Sequence, residues 1–87
     1  MDIAAAILEI ASGGAIKTRI MYSAFLSFPQ LKEYLKLLLE SGLLEPSRDD
    51  GRKAYLTTDK GKRFLKMYNE VDAMVPRDNM LTKIMRQ

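Results

Sequence analysis

At 87 residues, 47% of them hydrophobic, the chain is the size of one small domain and apolar enough to fold around a core. It contains no cysteine and no histidine, which excludes disulfide staples, Cys/His metal clusters and the commonest catalytic bases and nucleophiles. The net charge of +3 permits a nucleic-acid partner without demanding one.

Residues 1–15 are apolar enough to raise the question of a secretory leader. Asp2 stands where such a leader carries a cation, however, and Glu9 breaks the apolar run. Ile3, Ile7 and Ile10 recur at helical spacing instead, predicting a helix over 2–12 capped by Asp2 and ended by Gly13 and Gly14. No apolar stretch approaches membrane-spanning length, so a soluble, cytoplasmic protein without a membrane partner is expected. A second helix is predicted over 16–24, where Ile16 and Ile20 share a face; under three turns long, it depends on its neighbours.

Phe25 and Leu26 make a tight connection. Ser27 and Gln30 then form an S-x-x-Q capping box, with Pro29 in the first turn, where its missing N–H costs nothing. Leu31, Leu35 and Leu38 mark the buried stripe of a third helix over 27–41, opposite Pro29, Lys32, Glu33 and Lys36, and Gly42 closes it.

Residues 44–57 read as a β-hairpin. Leu43 to Ser47 is an edge strand, because Pro46 cannot donate to an inner ladder, and Lys53 to Thr57 returns from a turn at Asp49-Asp50-Gly51. Thr58 caps a fourth helix with Phe64, Tyr68, Val71 and Val75 along one face, which Pro76 ends or kinks. The tail, 76–87, is either a short docking helix through Met80, Leu81, Ile84 and Met85 or a frayed terminus.

The expected fold is mostly α with a small β-hairpin, in the order α-α-α-β-β-α, as one domain over 1–75 followed by the tail. Two short helices joined by a tight turn pair a support helix with a recognition helix, and the hairpin follows as a wing. Charge concentrates there: residues 48–66 hold seven cations against three anions, an excess larger than the +3 of the whole chain.

Three segments, TRIMYSAFLS (18–27), YLKLLLESGLLE (34–45) and YLTTDKGKRFLKMY (55–68), resemble the archaeal winged helix-turn-helix family, which includes small dimeric chromosomal proteins and transcription regulators. The resemblance covers residues 3–74, with Thr18-Arg19-Ile20-Met21-Tyr22 and Thr57-Thr58-x-Lys60-Gly61 its specific parts. It implies a DNA-binding winged helix, usually a homodimer held by the C-terminal helix. Two departures stand out: Phe25 occupies a position that is often small and polar in the family, and Pro76 interrupts the chain where some members continue into a coiled coil.

The candidate site residues each have a plainer alternative. Gln30, Lys32 and Lys36 suit a major groove, where Gln reads adenine and Lys guanine, and Ser27 with the helix N-terminus suits a phosphate. The alternative is a solvated face, with Ser27 and Gln30 serving only as caps. Lys17, Thr18 and Arg19 are either a phosphate clamp or a surface pair with Thr18 as a local cap. Arg48, Arg52 and Lys53 either contact phosphates or the minor groove, or protect a strand edge, partly neutralised by Asp49 and Asp50. Lys60, Lys62, Arg63 and Lys66 read as a solvated face that adds long-range attraction. Tyr68, Val71, Met74 and Val75 are the candidate dimer interface.

The expected function is that of a DNA-binding transcription regulator, a homodimer on double-stranded DNA at the nucleoid. No enzymatic activity, cofactor, metal or small-molecule ligand is expected. An architectural chromosomal protein of low sequence preference and a winged-helix protein-interaction module are the alternatives.

Overall fold

The computed structural model describes residues 2–74. Helix α1 (Ile3–Ile10) starts where the Asp2 carboxylate accepts the Ala4 N–H at 2.9 Å. The chain then forms strand β1 (Ala15–Ile16) and runs without a loop into helix α2 (Lys17–Ser23). This strand is an addition to the expected order. Two residues show no alternation, so Ile16 reads in sequence as the first residue of a helix, whereas its backbone is extended at ψ 159°.

α2 ends in a Schellman turn: the Leu26 N–H reaches the Met21 carbonyl at 2.9 Å, and the Phe25 N–H reaches that of Tyr22 at 3.3 Å. Phe25 takes the left-handed position at φ 56°. Helix α3 (Phe28–Glu40) follows at once, its start closed by the expected capping box. Its far end repeats the Schellman pattern, this time with Gly42 at φ 74°. A short support helix, a tight turn and a longer helix are thus in place.

Strands β2 (Leu44–Asp49) and β3 (Arg52–Thr57) pair antiparallel from Leu44↔Thr57 to Asp49↔Arg52. Asp50 and Gly51 both take positive φ, 56° and 80°, the backbone a two-residue Asp-Gly hairpin turn needs to follow the strand twist. The sheet order is β1-β3-β2, which leaves β2 and its Pro46 on an edge as the sequence requires.

Ile7, Leu8, Ile20, Leu31 and Leu38 are fully buried in one core that also takes in Leu35, Leu44 and Tyr55. Each such side chain contributes about 1.5–3 kcal/mol by leaving water. The core therefore joins α1, α2, α3 and the sheet, and a seven-residue α2 is held by Ile20 rather than by its own helicity.

A polar junction locks the wing root to the helices. Thr57 is buried; its N–H donates to the Ala11 carbonyl at 3.0 Å and its hydroxyl to the Leu8 carbonyl at 2.6 Å. The Thr58 hydroxyl donates to the Gly42 carbonyl at 2.6 Å and accepts the Gly61 N–H at 3.0 Å, so it caps helix α4 (Asp59–Met74) while holding the end of α3. At Gly61 a side chain would run into the Leu43 carbonyl and the Thr57 methyl. The Thr57-Thr58-x-Lys60-Gly61 run is thus the joint between wing, recognition helix and α4.

That close approach sets the rotation of α4 and splits its expected apolar stripe. Gly61 is buried, Leu65 half-buried, and the half-buried Tyr68 accepts the Asp2 N–H through its hydroxyl at 3.2 Å, all on the side toward α1. Phe64, Met67 and Val71 face solvent. Tyr68, a candidate interface residue, is thus half-buried on the side toward α1. Of the other proposed interface residues, the side chain of Met74, all of Val75 and the tail lie outside the described residues.

Candidate nucleic-acid interface

The first turn of α3 is occupied by its own cap. The Gln30 side-chain carbonyl accepts the Ser27 N–H and the Ser27 hydroxyl, each at 3.0 Å, and the Ser27 oxygen accepts the Gln30 N–H at 3.4 Å. Bidentate reading of adenine needs that same Gln carbonyl as an acceptor. Gln30 is therefore committed to the box, and base reading requires the box to open.

The lysines are freer, and the fold gathers three of them. Lys17, Lys32 and Lys36 line one open groove of about 330 Å³ between α3 and the sheet, with Leu35, Leu39, Glu40 and Tyr55 as the rest of its wall. At its rim the Lys17 and Lys32 ammonium groups lie 5.5 Å and 5.7 Å from the centre of the Phe28 ring. Each such cation–ring contact contributes about 0.5–1 kcal/mol at an exposed site. The support helix and the recognition helix thus present cations together, with only Glu40 opposing them in the groove.

Thr18 and Arg19 are exposed beside Lys17 on the first turn of α2. The cap position there is Ile16, and no side chain among the described residues caps that helix, so Thr18 does not serve as the local cap. Its hydroxyl and the Arg19 guanidinium face outward.

The wing sorts its charges by face. Side chains alternate along a strand, so the directly opposed pair Arg48↔Lys53 lies on one face and Asp49↔Arg52 on the other. A like-charge pair facing across a ladder is destabilising, which makes Arg48 and Lys53 a poor choice for stability alone. Asp49 is positioned to offset Arg52 only. Arg48 also donates to the Gly51 carbonyl at 3.3 Å, which holds it over the hairpin tip.

Lys60 is exposed, as a solvated face requires, and makes a capping contact as well. Its ammonium donates to the Ser41 carbonyl at 2.9 Å and so neutralises the carbonyl end of α3. Lys62 and Lys66 line a second open groove of about 450 Å³ along α4, with Leu65, Asn69 and Glu70.

Sequence reasoning misses several exposed apolar residues around the turn. Tyr22 is 72% exposed, Phe25 92% and Phe28 52%, and Leu37 is exposed farther along α3. Phe28 and Lys32 stand at i, i+4 on one helix, which is a legible signal of a ring–cation contact. None of the described helices is long and apolar enough to cross a membrane.

Comparison with known proteins agrees with the fold. No curated protein sequence matches the chain. Among solved structures, Sso10a-2, a DNA-binding protein from Sulfolobus solfataricus, superposes with a TM-score of 0.68 at 22% identity, over 98% of this chain and 94% of that one. The PcaV transcriptional regulator from Streptomyces coelicolor gives 0.66 at 20% identity, over 99% of this chain and 72% of that one. Lactococcus lactis ZitR, solved in complex with DNA, gives 0.59 at 19% identity, over 99% and 70%. At these identities the likeness is one of fold. The family profile described as winged helix-turn-helix, in contrast, matches residues 1–75 of the sequence itself. This agrees with the archaeal winged-helix family that the three sequence segments resemble, and the chain belongs to the winged helix-turn-helix family.

Proposed function

We propose that the protein is a DNA-binding transcription regulator of double-stranded DNA, acting at the nucleoid as a homodimer. The observation that carries this reading is the convergence of Lys17, Lys32 and Lys36 on one groove of α3, with the Arg48–Lys53 pair projecting from the wing. α3 lies in the major groove, the first turn of α2 meets one backbone, and the wing reaches the next. Residues 1–75 form the DNA-binding unit. The dimer forms through α4, whose Phe64, Met67 and Val71 stand exposed at i, i+3 and i+7.

One observation favours a second reading, an architectural protein with weak sequence preference. Gln30, the amide best suited to reading a base from α3, is held in the capping box. Phosphate contacts then carry most of the affinity.

The test is fluorescence anisotropy of a random-sequence duplex at several salt concentrations. Affinity is expected to fall with salt, and replacing Arg48 and Lys53 together by Ala is expected to lower the slope by about one for each phosphate the wing no longer meets. Selection from a random pool then separates the two readings, since a regulator enriches a defined site and an architectural protein does not. Absence of salt-sensitive binding overturns both and favours a protein-interaction module.

A further inference from the structure

Phe25 is an expensive residue where it stands. A non-glycine residue held in a sparsely populated backbone region is strained by about 1–3 kcal/mol, and here the residue is Phe at φ 56°. The ring recovers nothing from burial, being 92% exposed. Glycine or asparagine is the usual occupant of this Schellman position. Phe28, three residues on and the first residue of α3, is 52% exposed as well, with Lys17 and Lys32 on its ring. The two cation contacts give the Phe28 ring a part in the fold, whereas folding does not explain Phe25, both exposed and strained.

We infer that Phe25 and Phe28 form an apolar tip that reads the C5-methyl groups of thymine in the major groove. This rests on the DNA reading above and names a base feature within it. The charge pattern selects the occupant. The Phe28 ring, with the Lys17 and Lys32 ammonium groups over it, matches a surface that is apolar at its centre and anionic at its margins. A duplex major groove has this arrangement, with thymine methyls on its floor and phosphates along both walls. The position agrees, because the N-terminal residues of a recognition helix are those that meet base edges. Contact with a methyl needs no hydrogen-bonding side chain, so the tip works while Gln30 stays in its box. A preference for thymine-bearing steps follows, without a full sequence code.

The test compares a synthetic duplex with the same duplex carrying deoxyuridine at every thymine position. Deoxyuridine keeps the hydrogen-bonding edges and the phosphates and removes only the methyl. The wild-type protein is expected to bind the thymine duplex more tightly, by about fourfold for each methyl fully buried, with the same salt slope on both. Phe25→Gly and Phe28→Ala are each expected to reduce this preference. Phe25→Gly is also expected to raise the thermal midpoint, since it relieves the backbone, which separates failure of reading from failure of folding. Equal affinity of the wild type for the two salt-sensitive duplexes overturns the inference and leaves the DNA reading intact. So does a preference that survives in both variants, because the methyls are then sensed elsewhere or through duplex shape. Failure to bind either duplex overturns the DNA reading and this inference with it.

Discussion

Gly61 and Thr57 decide more of this molecule than their size implies. Thr57 is a buried polar residue whose hydroxyl and N–H both close on carbonyls at the end of α1. Gly61 lies so close to the Leu43 backbone that a methyl group has no room. Alanine is the better helix former by about 1 kcal/mol. Overpacking against backbone costs about 1–3 kcal/mol, and the contact here, with a carbonyl that is itself bonded to Thr58, falls at the upper end. Gly61→Ala is therefore expected to destabilise by about 2 kcal/mol net, a drop in thermal midpoint of about 10 °C for a domain of this size, measured by circular dichroism. From the sequence alone Gly61 is one member of a resembling motif. Its role is hidden there because the residue it touches, Leu43, belongs to a segment 18 positions earlier.

At the scale of elements, α3 depends on its capping box. Ser27→Ala removes the acceptor for the Gln30 N–H and is expected to cost about 1 kcal/mol, seen as a lower urea midpoint at unchanged slope. The helices and the hairpin are legible in the sequence because caps, glycine stops and apolar spacing are local signals. Asp2, Ser27, Gly42 and Thr58 do what their types and positions imply. β1 is not legible, because two residues make a strand only when β3 supplies the ladder. The rotation of α4 is not legible either, since Tyr68 and Val71 share a helical face in sequence while only Tyr68 meets α1. In the interface the residue types are readable, whereas the meeting of Lys17 with Lys32 over Phe28 requires the fold.

At the scale of the whole molecule, the exposed side of α4 bears on the proposed second copy. The domain is small, carries no disulfide, and leaves Met67 64% and Val71 59% exposed on one side of α4. Met67→Glu with Val71→Glu is expected to convert the proposed dimer to a monomer in sedimentation equilibrium. Its monomer should keep wild-type helicity, since exposed positions away from packing change stability by no more than about 0.5 kcal/mol. A wild-type protein that sediments as a monomer at all concentrations removes the dimer from the proposal.

β1 passes into α2 with no intervening residue, and its partner β3 begins at the wing tip. The register pairs Ala15 with Tyr55 and Ile16 with Ala54, so the chain leaves the ladder at Lys17 beside Lys53, toward the hairpin tip. Under the proposed mode of binding, the cations of the support helix and those of the wing therefore belong to one unit held by a shared ladder, and neither can shift along a duplex backbone without the other.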